Sequence, residues 1–92
     1  MIARYVRCEP LDVLAVDGEA LVLLAPDQVV RLSPIAATIY TLTTSATAPD
    51  DLAFAVEQTF GAPEHGQTLD ALREILASLV AAGLLDQVTD DL

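Results

Sequence analysis

The sequence predicts an α+β fold in which a three-stranded antiparallel sheet is followed by three helices. Short apolar runs crowd the first third of the chain around two turn signals, Asp17-Gly18 and Ala25-Pro26-Asp27-Gln28. From Ser33-Pro34 onward the apolar period changes from two to the three-or-four spacing of helices. Gly61 and Gly83 then stand where the second and third helices would stop.

The first strand is expected over Asp12–Val16. Asp17-Gly18 follows, a dipeptide at ease in the positive-φ geometry of a two-residue type I′ hairpin. Ala20–Leu24 is almost continuously apolar, which fits a strand in the middle of a small sheet. Pro26 fixes φ in the next turn, and a third strand runs from Gln28 to Leu32. Period-two alternation sends Val30 and Leu32 to one face and Val29 and Arg31 to the other. In a simple meander the first and third strands are edges with unpaired main-chain groups.

Ser33-Pro34 reads as a hydroxyl cap followed by a residue whose missing N–H costs nothing at the first helical position. That helix is expected to reach about Thr43 and to bury Ile35, Ile39 and Leu42. A second start at Thr47-Ala48-Pro49-Asp50 places acids in the first turn. Leu52, Val56 and Phe60, with Ala53 and Ala55, form the expected buried face. After a loop from Ala62 to Gln67, a third helix spans about Thr68 to Ala82, with Leu69, Leu72, Leu76, Leu79 and Val80 in one stripe and Ile75 beside it. Leu84-Leu85 is expected to fold back onto the core, and Asp86–Leu92 to form an acidic tail that frays.

Ninety-two residues, 53% of them apolar and none Trp, fit one domain with an aliphatic core. Fourteen acids against four Arg give a net charge of −10, which repels phosphate backbones and anionic lipid surfaces. Nucleic acid and membrane are therefore excluded as expected partners. No apolar run is long enough for a transmembrane helix, the two Arg of Met1–Arg7 precede no signal-like stretch, and the expected location is cytoplasmic. Cys8 and His65 are single, so neither a nucleophile–base pair nor a multi-ligand metal site can be assembled from them. Asp50-Asp51 and Asp90-Asp91 fall at a helix start and in the tail. The four glycines are scattered and form no phosphate loop. The expectation is a binding module with no catalytic residue, metal or cofactor.

Three strands followed by three helices is the order of a winged helix-turn-helix domain. Within that architecture, "VLLAPDQVVRL" at Val22–Leu32 is similar to the strand-turn-strand of the PqqD-like family, or RiPP recognition elements. Leu32, Ala36, Ile39 and Leu42 resemble the family's first helix, and Leu72, Ile75, Leu79 and Gly83-Leu84-Leu85 its closing helix and ending. Ser33-Pro34 departs from the usual Asn or Asp start, and Ala71 stands where members often carry Asp. The resemblance covers about residues 12–86, leaving 1–9 as an N-terminal arm outside it and 87–92 as the tail.

The resemblance implies a non-catalytic domain that binds the leader of a ribosomally made precursor peptide as an added strand. It would present that peptide to a tailoring enzyme, in the first instance a radical SAM protein as in pyrroloquinoline quinone biosynthesis. The peptide-binding residues expected on this basis are Val29, Val30 and Arg31 from the third strand and Leu69, Leu72, Arg73 and Leu76 from the third helix. Arg31 and Arg73 are two of only four cations, and a groove flanked by both suits an acidic leader residue. A second reading within the class delivers the precursor of a lasso or similar pathway to a protease or cyclase. A winged-helix transcription regulator is the third, opposed by Asp70 and Glu74 on the would-be recognition helix. A homodimer formed through an exposed edge is also compatible with the sequence.

Overall fold

Asp17 at φ 50° and Gly18 at φ 81° adopt the left-handed pair of angles that a two-residue hairpin needs, and the sheet is organised around that turn. The structure, a computed structural model, describes residues 2–61 and 68–90. Its elements are β1 (Ile2–Arg7), β2 (Asp12–Val16), β3 (Glu19–Ala25), β4 (Gln28–Leu32), α1 (Pro34–Leu42), α2 (Pro49–Phe60), α3 (Thr68–Ala81) and β5 (Leu85–Asp90). The fold is α+β, with three helices and a three-stranded antiparallel sheet in the order β2-β3-β4. The loop expected over Ala62–Gln67, with His65 in it, lies outside the described residues.

In the sheet, Val16 faces Glu19, Asp12 faces Leu23, and Val22 faces Val30, so β3 is central as its apolar composition requires. Ala20, Val22 and Leu32 are buried on the face that meets the helices. The helices add Ala36, Ile39 and Tyr40 from α1, Leu52 and Val56 from α2, and Leu72, Leu76 and Leu79 from α3.

Ser33 Oγ accepts from the Ala36 N–H at 3.3 Å, and Pro34 occupies the first turn of α1. The buried stripe of this helix is rotated from the expected one. Leu42 is exposed, while Tyr40 and Thr43 point inward. Tyr40 is turned in by its hydroxyl, which donates to the Cys8 carbonyl at 2.9 Å, and its ring carries the Arg7 guanidinium 5.4 Å from the centroid. Thr43 tolerates full burial because its hydroxyl reaches the Ile39 carbonyl at 2.9 Å. On α2 the expected buried Phe60 is exposed instead, being the last helical residue before Gly61 turns the chain at φ 83°. Thr47 does not cap α2; Ala48 holds the cap position, and the Thr47 hydroxyl donates to the Ser45 carbonyl.

The larger correction concerns both chain ends. Over the described residues the arm and the tail are not loose extensions: β1 and β5 pair antiparallel, from Ile2 opposite Asp90 to Arg7 opposite Leu85, while residues 1, 91 and 92 lie outside the described residues. The described residues therefore form five strands in two sheets, and the helices are preceded by four strands and followed by a fifth. Leu84 and Leu85 are fully buried as expected, and they anchor the start of β5. β1 is held on its other side by two bonds of 2.9 Å between Tyr5 and Thr47 and one of 2.8 Å from the Arg7 N–H to the Thr43 carbonyl.

Two substitutions gauge this packing. Leu76→Ala empties a fully buried site and is expected to cost about 2–5 kcal/mol. Tyr40→Phe removes only the hydroxyl bond to Cys8 and is expected to cost about 0.5–1.5 kcal/mol. Both are read from urea unfolding midpoints at unchanged slope.

Candidate functional site

Which main-chain groups of the sheet are free follows from its register. Residues flanking a two-residue hairpin exchange both of their hydrogen bonds, so Val16–Glu19, and by alternation Leu14–Leu21 and Asp12–Leu23, are the bonded pairs of β2 and β3. Ala20 and Val22 are left to bond Leu32 and Val30, and the N–H and C=O groups of Val29 and Arg31 face the open side of β4. Among the described residues no strand pairs with that side.

Alongside the open side lies a groove of about 530 Å³ between β4 and α3. Val30, Arg31 and Leu32 border it from the strand, and Glu74, Ile75, Ser78 and Leu79 from the helix, with Ala82 just past the helix end. These helical positions recur at four-residue intervals and form one face of α3. Ser78 and Ala82 are small, which leaves the helix backbone close and the groove wide. Glu74 is the one charged side chain that the helix contributes to it.

The structure disposes the sequence-expected residues unevenly. Val29 and Arg31 are exposed on the outer face of β4, and Val30 is half-buried beside the groove. Leu72 and Leu76 are core residues that do not border the groove, Leu69 packs against the same core, and Arg73 is exposed on α3 outside the groove. The two cations expected to flank one groove do not do so. Arg31 borders it, but its guanidinium is bonded to Glu19 at 2.7 Å on the outer face.

The helical wall was missed because the strongest apolar stripe of an amphipathic helix marks its core side. A groove instead lies along the flank of that stripe, where small and polar residues alternate. The spacing of Glu74, Ser78 and Ala82 beside Ile75 and Leu79 was the available signal. It acquires meaning only once α3 is placed against β4.

Chemistry elsewhere is sparse. The Cys8 thiol is held in its protonated form, chiefly by burial and also by the neighbouring Asp86 carboxylate. The Tyr40 phenol is pushed up by burial, a shift partly opposed by Arg7. Among the described residues no group of three or more His, Cys, Asp or Glu could hold a metal ion. No helix of the described residues is long and apolar enough to cross a membrane.

A family model described as coenzyme PQQ synthesis protein D (PqqD) matches residues 20–85, while no curated protein and no solved structure matches the chain. The matched stretch is well over half of the sequence and takes in β3, β4 and all three helices, including both walls of the groove. The chain belongs to the PqqD family.

Proposed function

We propose that this domain is a leader-peptide recognition element, binding an extended precursor segment as a further strand on β4 with side chains in the β4–α3 groove. The single observation behind this reading is the unpaired side of β4 lying next to an apolar groove. An added strand satisfies the main-chain groups of Val29 and Arg31 whatever its sequence, and alternate side chains enter the groove. About four such bonds at roughly 0.5–1.5 kcal/mol each do not offset the cost of ordering and association. Burial of apolar leader residues against Ile75, Leu79 and Leu32 supplies the rest. Glu74 favours a basic or hydrogen-bonding leader side chain at its level, and on the outer face Arg31 exchanges Glu19 for an acidic one.

The role is non-catalytic, and the domain hands its guest to a tailoring enzyme. Within the PqqD family the first candidate is a radical SAM protein; a protease or cyclase is the alternative. We read the architecture as winged-helix-like, put to peptide rather than DNA binding. A net charge of −10 and the acids Asp70 and Glu74 on α3 oppose a phosphate backbone.

The reading is tested with a fluorescein-labelled synthetic leader, taken from a precursor encoded beside the gene, and followed by anisotropy. Saturable binding at micromolar concentrations is expected, and flat titrations would sink the proposal. Ser78→Trp places a large side chain in the groove from an exposed position; it is expected to weaken binding at least tenfold with little change in unfolding midpoint. Arg31→Glu replaces an exposed ion pair by a like-charge contact with Glu19 and is expected to weaken binding only about two- to fivefold.

A further inference from the structure

The face of α3 that borders the β4 groove continues past the end of the strand. Nearer the start of the helix, Thr68, Ala71, Leu72 and Ile75 border a second hollow, of about 200 Å³. Ile75 borders both. Thr68, Ala71, Ile75, Ser78 and Ala82 follow one another at steps of three and four residues, so the two concavities lie in line along one helix face. The facing wall changes at the same point. β4 ends at Leu32, and Ser33 and Ala36 still border the groove. Ile35, between them in sequence, borders the second hollow instead, together with Val56, Phe60 and Gly61 from the end of α2.

This hollow is apolar. Val56 and Leu72 are buried against the core, and Phe60 is 42% exposed. Among the described residues no charged side chain borders it, and its one hydroxyl, that of Thr68, donates to the Glu57 carboxylate and ties α3 to α2.

We propose that the hollow anchors one large aliphatic or aromatic side chain of the leader, outside the segment that pairs with β4, an inference that rests on the leader-binding reading. The occupant follows from continuity: a guest lying along α3 in the groove meets the hollow next, with only Ile75 between. From Ser78 to Ala71 is about 10 Å along the helix axis, and an extended chain advances about 3.3 Å per residue. The anchor residue therefore stands about three or four positions beyond the leader residue that faces Ser78. Its task is register. A guest paired with β4 can slip by two residues and keep both its main-chain bonds and the facing of its side chains. A bulky residue that fits one uncharged hollow at one fixed distance from the ladder favours a single placement.

An alanine scan of the fluorescein-labelled leader, followed by anisotropy, tests this. One apolar residue outside the paired segment is expected at that spacing, and its replacement by alanine should weaken binding about tenfold. The side on which it falls gives the direction of the guest. Ala71→Trp fills the hollow from an exposed position. It should weaken the unaltered leader by about as much, yet leave the affinity of the alanine-substituted leader unchanged. Phe60→Ala removes one wall and should weaken the unaltered leader several-fold. Circular dichroism and urea midpoints verify that both variants are folded. Unchanged affinity in Ala71→Trp and Phe60→Ala, with Ser78→Trp still disruptive, would overturn the anchor and leave the groove reading standing. Equal losses for both leaders on Ala71→Trp would also overturn it, because the substitution would then act without the anchor residue. A wild-type chain that binds no leader would sink both readings together.

Discussion

The arrangement of β1 constrains everything else in this molecule. A three-stranded sheet with two open edges next to a free N-terminal segment would ordinarily close on itself, because a strand pairs with the nearest unsatisfied ladder. Here both sides of β1 are already engaged. β5 occupies one side, and the Tyr5–Thr47 and Arg7–Thr43 bonds tie the other to the end of α1 and the connection leading to α2. Buried Leu84 and Leu85 fix where β5 begins, so the ribbon cannot slide toward the main sheet without exposing core. The β4 edge stays open because the segment that could have covered it is held elsewhere.

Local signals in the sequence carried most of the main sheet and the helices. Asp17-Gly18, Pro26 and Ser33-Pro34 act within a few residues of themselves, and the strands and α1 begin where these residues place them. The β1–β5 ribbon was not legible for the opposite reason. Its partners lie at opposite ends of the chain, from Arg7 opposite Leu85 to Ile2 opposite Asp90, and neither Ile2–Arg7 nor Leu85–Asp90 alternates strongly enough to declare a strand. The rotated face of α1 has a similar origin: Tyr40 points inward because its hydroxyl finds the Cys8 carbonyl, a contact between segments 32 positions apart. Periodicity favours Leu42 there because hydrophobicity is all that it counts.

The candidate site divides along the same line. Its strand half was readable, since an edge and its outward-facing residues follow from turn type and register alone. Its helical half was not, because Leu72 and Leu76 serve the core that lets α3 stand beside β4, while Ile75, Ser78 and Ala82 form the surface that results. Arg31 adds a subtler point. Counting cations suggests a free anion receptor, but Glu19 lies diagonally across the hairpin from it and already forms the ion pair.

The acidity of the chain acts at a different range from these contacts. Net charge opposes polyanions at distances of about a Debye length, roughly 8–10 Å, before any groove is reached. In the proposed complex, recognition inside the groove is left to main-chain bonds, apolar contact and the single carboxylate of Glu74. Main-chain bonds are blind to sequence, so selectivity has to come from alternate residues of the guest, those that enter between Ile75, Leu79 and the small residues Ser78 and Ala82. A guest with bulky apolar side chains at every second position fits that geometry. One with charges at those positions does not, because burying them beside an acidic wall costs more than the strand bonds return.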